Sequence, residues 1–274
     1  MRILSVFVLY NPDNTLLTKN VSVVAPFVDH ILLWQNSDVD QSSLSNLPFS
    51  GKIEWVGSTE NKGISTALNY AWKYAVEHSY DFLLTMDQDS LFVGLDNYLA
   101  NISESKDPVG IYGPGVNWMA FKGALRRFDF PITSGMLVPI SILNTLGGYR
   151  PDFFVDGIDL DLTLRAKENG IPVYLVGNCV LLQQYGVTKS RKVLFKTISI
   201  NSHSPERLYE MYRNFQILLE EHTYPEWKQH YKRMWGWKSI VKRILAEDDR
   251  VRVCRAIIKG IRDGKKTRLP DSRS

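Results

Sequence analysis

Asp81-Phe82-Leu83-Leu84-Thr85-Met86-Asp87-Gln88-Asp89-Ser90 is an apolar run that ends abruptly in two carboxylates one residue apart. The run reads as a buried strand that delivers acid groups to its tip. Side chains alternate faces along a strand, so Asp87 and Asp89 share a face and both can offer oxygen to one hard cation. A lone Asp-x-Asp also suits an ordinary acidic turn after a core strand. The neighbouring strands therefore decide what the pair is for.

Upstream, Ile3 to Leu9 reads as a buried strand, followed by the loop Tyr10-Asn11-Pro12-Asp13-Asn14 and a helix patterned by Leu16, Leu17, Val21 and Val24. His30 to Trp34 is a second strand, closed by Gln35-Asn36-Ser37-Asp38, and Lys52 to Val56 a third, closed by Ser58-Thr59-Glu60-Asn61. A helix then opens near Asn61 and runs to about His78, with Ala67, Ala71 and Ala75 at spacing four making a flat face for close packing. Alternating strand, loop and helix predicts an α/β chain with a mainly parallel, Rossmann-like sheet flanked by helices. In such a sheet ligands lie outside the carboxyl ends of the strands, so the polar tips should converge with Asp87 and Asp89 on one crevice. The helix N-terminus after Gly63 offers backbone N–H groups to a phosphate. Neither the dinucleotide glycine fingerprint nor the Walker pattern is present, which leaves NAD binding and ATPase chemistry without a motif.

With 274 residues, 44% of them apolar, the chain can bury a substantial core. Two cysteines, Cys179 and Cys254, suggest neither a disulfide framework nor a zinc site, and point to a reducing compartment. Met1-Arg2 leads straight into the first strand, which is too short for a secretory h-region, so a cytoplasmic protein is expected. From Lys228 to Arg273 there are 15 Lys or Arg against 5 Asp or Glu, about +10, while the remainder carries 18 against 24, about −6. The expected division is a domain over 1–224 and a basic, aromatic helical tail over 225–274.

Four motifs, Tyr10-Asn11, Gln35-Asn36-Ser37, Asn61-x-Gly63-x-x-x-Ala67-x-Asn69 and Asp87-x-Asp89, in this order and on these strand ends, resemble the nucleotide-sugar-binding half of GT-A glycosyltransferases of family 2. The stretch Leu84 to Ser90 is particularly similar to the rhamnosyltransferase branch. The resemblance implies a GT-A fold with a C-terminal helical extension and an inverting transfer, L-rhamnose from dTDP-L-rhamnose being the first expectation, to a cell-surface polysaccharide or lipid-linked glycan. It implies donor contacts from Tyr10, Asn11, Asn36, Asn61, Gly63, Asn69, Asp87 and Arg213. It also implies Mg²⁺ or Mn²⁺ on Asp87 and Asp89, with Asp89 the direct ligand and Asp87 facing the ribose or metal-bound water. A cation held by carboxylates would neutralise the charge that grows on a departing nucleoside diphosphate.

Downstream, a helix is expected near Leu95 to Glu104, a strand over Val109 to Tyr112, and a basic, aromatic hairpin from Asn117 to Phe130. Thr133-Ser134-Gly135 then precedes a strand and a helix that ends on Gly147-Gly148. In the segment Asp152 to Arg165, Asp156 and Asp159 share a helix face, whereas Asp161, four before Arg165, suits an ion pair. Asp156 as N-cap with Asp159 in the first turn is equally a plain helix start. The resemblance implies that Asp159 is the general base, with Ser134, Gly135 and Asp156 toward the acceptor; Ile158 stands where the family usually has Glu.

Pro172 to Val176 and Cys179 to Gln183 read as two strands, the second leading into Gln184-Tyr185-Gly186. Gln183 takes the place of a family histidine, which makes His203 the substitute third metal ligand. Arg207-x-Tyr209-x-x-Tyr212-Arg213-Asn214 is similar to the branch's closing motif, and its arginines suit diphosphate oxygens or the cover of a core. Three readings of the tail stay open: a peripheral membrane contact, a homodimer face, or packing on the catalytic domain. No nucleic-acid partner is expected. The rivals are a UDP- or GDP-sugar donor, a non-catalytic sugar-binding protein on the same fold, and a pyrophosphorylase, for which the first loop is the wrong kind.

Overall fold

The computed structural model describes residues 1–45, 47–183, 188–193 and 196–267, with side chains described except at 118, 193 and 196; Gln184-Tyr185-Gly186 lies outside this set. Two compact units emerge, one of 1–154 with 158–183, the other of Val155–Gly157 with the described residues from 188 onward. The expected boundary at 224/225 falls inside the second unit.

In chain order the first unit comprises β1 (Ile3–Leu9), α1 (Asn14–Val24), β2 (His30–Gln35), α2 (Ser42–Ser45), β3 (Ile53–Gly57), α3 (Ile64–Glu77), β4 (Phe82–Asp87), β5 (Ser90–Val93), α4 (Leu95–Ser103), β6 (Ile111–Val116), β7 (Leu125–Arg127), β8 (Met136–Pro139), α5 (Ile140–Leu146), α6 (Ile158–Glu168) and β9 (Val173–Gln183). One sheet runs in the order β3-β2-β1-β4-β8-β6-β9-β5, with β7 also on β9. The strands from β3 to β4 are parallel, β8 runs against both β4 and β6, and β9 is parallel to β6 but antiparallel to β5 and β7.

Register levels the tips that matter. Leu9 pairs Gln35, Gln35 pairs Gly57 and Val8 pairs Asp87, so four parallel strands end in one row. Because β8 is antiparallel, its start meets the end of β4, and β9 closes on β5 with Gln183 opposite Ser90. The alanine face of α3 forms as expected: Ala67, Ala71 and Ala75 are fully buried, and the helix packs on β1 and β4. A larger side chain on that stripe would overpack by about 1–3 kcal/mol.

Two expectations are corrected. The segments Pro172 to Val176 and Cys179 to Gln183 are one strand, carried across Gly177 and Asn178 by an irregularity in which Asn178 adopts φ 57° and the pairing with β6 shifts register. The expected hairpin from Asn117 to Phe130 does not pair with itself. Asn117–Met119 is a short 3-10 turn, and β7 hydrogen-bonds to β9, with Gly177 and Asn178 donating to Ala124 and Phe121 carbonyls. The irregular part of β9 needs those partners, which outcompete a local hairpin. Arg126 stacks on Phe121 and Arg127 on Tyr174 at 4.4 and 4.8 Å, so both guanidiniums cover protein rings.

The second unit contains β10 (Thr188–Val193), β11 (Lys196–Asn201), α7 (Pro205–Glu221), α8 (Pro225–Trp235), α9 (Trp237–Ala246) and α10 (Arg250–Lys266). The antiparallel pair β10/β11 carried no expectation from sequence. Leu208, Tyr212, Val253 and Ile257 form the core between α7 and α10, with Trp235, Ile240 and Ile244 packed on it. Gly260 and Gly264 let α10 lie close on α7: a Cβ there would stand 2.5 Å from the Tyr209 carbonyl and 2.6 Å from that of Arg213. No described helix is long and apolar enough to cross a membrane.

Candidate functional site

The row of strand tips is held by side-chain amides and hydroxyls. Gln88, between the two acids, accepts from Tyr10 N–H at 2.7 Å through Oε1 and donates from Nε2 to the Tyr10 carbonyl at 3.0 Å. Asn20 adds a bond to the Gln88 carbonyl at 2.8 Å. Asn11, at φ 47°, donates its N–H to Ser37 Oγ, and Tyr10 is exposed. Tyr10 and Asn11 therefore stand beside the Asp87 turn as expected, and Gln88 is the residue that puts them there.

Asp87 is braced from two sides. Its N–H donates to Ser134 Oγ at 3.0 Å, and Gln183 Nε2 donates to its Oδ2 at 3.0 Å. Gln183 is itself fixed by Asn117, whose amide accepts from Gln183 N–H and donates to Gln183 O, both at 3.1 Å. The Gln183 Oε1 atom is left buried without a hydrogen-bond partner. Asp87 and Asp89 are both half-buried.

Several residues expected at the ligand are instead used by the protein itself. Asn36 is 3% exposed; its Oδ1 accepts from Trp34 Nε1 and Lys62 N–H, and its Nδ2 faces the Gly63 carbonyl. Asn69 donates to the Tyr149 carbonyl at 2.8 Å and accepts from Tyr149 N–H at 2.9 Å. Ser134 and Gly135 are buried, Gly135 with φ 77° and no room for a Cβ against Pro114. They support the end of β4. At the start of α3 one N–H is already taken, that of Ile64 by the Phe154 carbonyl, and Ser65 Oγ donates to the carbonyl of Phe153. Gly63, at φ 80°, must be glycine there, since a Cβ would lie 2.7 Å from Phe154 O; Asn61 Oδ1 accepts its N–H.

Asp159 lies half-buried in the first turn of α6, with Oδ1 accepting from Leu160 N–H. Asp161 is 2% exposed and takes Arg165 through Nε and a terminal nitrogen at 2.8 and 2.6 Å, with Arg150 at 3.6 Å. That ion pair is structural, as its spacing suggested.

In the second unit Asp156 adopts φ 56°, and its carboxylate receives Arg207 through two nitrogens at 2.9 and 3.0 Å. Asn214, fully buried, donates to the carbonyls of Val155 and Asp156. The closing motif thus clamps the loop that leads to Asp159. Arg213 donates to Asn214 Oδ1 and pairs with Glu210 at 3.7 Å. Burial, first, and then the charges of Arg207 and Arg243 hold His203 below the ordinary histidine value. The same two cations oppose a metal ion on its ring. Among the described residues no three His, Cys, Asp or Glu side chains gather as a metal cluster.

No family model matches the chain. It is 27% identical over 256 residues to dTDP-rhamnosyl transferase RfbF of Shigella flexneri, across 81% of each chain. Among solved structures it superposes on GalNAc-T7 with UDP, GalNAc and Mn²⁺ (TM-score 0.62, 13% identity, 85% of this chain and 50% of that one). It also superposes on S. aureus TarS 1-349 in complex with UDP-GlcNAc (TM-score 0.58, 14% identity, 97% and 91%). The chain thus spans half the length of the GalNAc-T7 structure. Its fold is that of the GT-A glycosyltransferases, the group its four motifs resemble.

Proposed function

We propose, for this chain of GT-A fold, a family 2 inverting glycosyltransferase that moves L-rhamnose from dTDP-L-rhamnose to a surface-polysaccharide or lipid-linked glycan acceptor on the cytoplasmic side. The observation that carries the reading is the Asp87-Gln88-Asp89 turn, braced at the carboxyl edge of four parallel strands by Gln183, Ser134 and Tyr10. The likeness to a dTDP-rhamnosyl transferase over most of both chains supports the donor class.

The residues present fit a divalent cation. Asp87 and Asp89 are hard oxygen donors, and the orphaned Gln183 Oε1 beside Asp87 is a third oxygen in the place of a histidine. When bound, Mg²⁺ or Mn²⁺ supplies Lewis-acid neutralisation of the diphosphate. Gln183 and Ser134 hold the Asp87 carboxylate and backbone so that little reorganisation is needed when the donor arrives. Asp159 takes the proton from the acceptor hydroxyl as that oxygen attacks the anomeric carbon; the bond from that carbon to the phosphate oxygen breaks, and the nucleoside diphosphate leaves with the electron pair. A single displacement inverts the anomeric centre.

A titration of dTDP-, UDP- and GDP-sugars with and without Mn²⁺ or Mg²⁺ tests the reading. Metal-dependent binding of a dTDP sugar, abolished in Asp89→Ala, is expected. Asp159→Asn should bind donor normally and transfer nothing. Undiminished turnover in that variant refutes the assignment of the base, and binding of a UDP or GDP sugar alone refutes the donor.

A further inference from the structure

Helix α9 belongs to the second unit, and its outer surface is left over once that unit's core is packed. Between Lys228 and Ala246 the chain places Lys228, Lys232, Arg233, Lys238, Lys242 and Arg243 without one carboxylate. Helix α9 is apolar on two sides. Ile240 and Ile244 pack on the core of their unit and Ala246 is buried. On the outside Trp237 and Val241, one turn apart, are 70% and 45% exposed, with Leu245 continuing the line. Lys238 and Lys242 are exposed beside it, the Lys238 ammonium 5.7 Å from the Trp237 ring centroid. Among the described residues neither lysine has a salt bridge, whereas Arg243 is occupied by the Asn201 carbonyl.

We propose that this outer face of α9 rests on an anionic phospholipid surface, with Trp237 and Val241 entering the boundary between headgroups and acyl chains, and Lys238 and Lys242 meeting lipid phosphates. The argument is complementarity of both kinds at once. An indole beside basic groups suits the interface, where one side of the helix finds apolar depth and its flank finds negative charge. A second copy would set these lysines against their own like charges. A nucleic acid would satisfy the lysines while leaving Trp237 and Val241 in water. The inference is independent of which sugar the first unit binds.

The test is cosedimentation of the full chain with phosphatidylcholine vesicles, with and without phosphatidylglycerol. Binding only to the anionic vesicles, reversed by high salt, is expected. Lys238→Gln with Lys242→Gln should weaken partitioning roughly thirtyfold, and Trp237→Ser with Val241→Ser should abolish it. Both pairs should keep the parent's melting temperature, since all four side chains are exposed. Binding unaltered in either pair, or equal on neutral and anionic vesicles, overturns the proposal. So does an absence of vesicle binding, whether or not a Trp237-dependent dimer or lysine-dependent retention on immobilised DNA is seen instead.

Discussion

Asn69 separates a residue that builds the fold from one that touches a ligand, and the two roles predict different measurements. Its amide spans both polar groups of Tyr149, a residue 2% exposed, at 2.8 and 2.9 Å. Asn69→Ala leaves a buried N–H and a buried carbonyl without partners, each costing about 1–3 kcal/mol. Alanine returns about 0.6 kcal/mol in helix propensity. The net loss is about 1.5–5.5 kcal/mol, which for a chain of this size lowers the melting temperature by roughly 3–11 °C. Asn69→Asp should do no better: it keeps the bond from Tyr149 N–H but sets an anionic oxygen against the Tyr149 carbonyl. Thermal unfolding followed by circular dichroism reads the first effect, and a donor titration well below the midpoint reads the second. Donor affinity should stay within about twofold. An unchanged midpoint together with tenfold weaker donor binding would refute the reasoning, because the amide would then be working on the nucleotide sugar.

Three further outcomes are expected. Gly260→Val drives a branched side chain into the Tyr209 carbonyl, 2.5 Å from the Cβ position, so α10 should detach from α7, visible as faster amide exchange in both helices. Burial pushes the Cys179 thiol up to about 12, so near pH 8 Ellman's reagent should titrate one thiol per native chain, and Cys254→Ser should remove it. His203 is depressed below its ordinary 6.5, so the unfolded chain binds its proton more readily than the folded one. Stability should therefore fall as pH drops below about 6.5 and level off beneath the folded value; His203→Gln should flatten that part of the urea-midpoint profile, and an unchanged slope would count against the burial argument.

The sheet edge was legible because local pattern carries it. Apolar runs closed by short polar residues mark β1 to β4, and the acids at one end of such a run need no tertiary knowledge. What each polar tip does was not legible, because the partner is remote: Ser65 meets Phe153, Asn69 meets Tyr149, and Ser134 meets Asp87. A motif in sequence shows that an amide is present, and only the fold shows whether its donors and acceptors are already taken. The single long β9 was hidden for a related reason, since Gly177-Asn178 looks like a break until β7 supplies its hydrogen bonds. Gln88 did carry a signal that was available, an amide rather than an aliphatic residue between two acids.

Gln88, Asn69 and Asn117 each grip one residue's backbone N–H and carbonyl together, at Tyr10, Tyr149 and Gln183. A carboxamide suits this, since it donates and accepts from one planar group without needing a particular protonation state. Chemical ageing attacks that group. Deamidation exchanges the NH₂ for an oxygen without altering size, so at most surface positions it passes unnoticed. At all three it turns a clasp into a repulsion: at Gln88 within the turn that carries Asp87 and Asp89, at Asn117 behind the Gln183 that holds Asp87, and at Asn69 against Tyr149. Storage damage at Gln88 and Asn117 would then reach the Asp87 turn directly, whereas damage at Asn69 would register as lost stability.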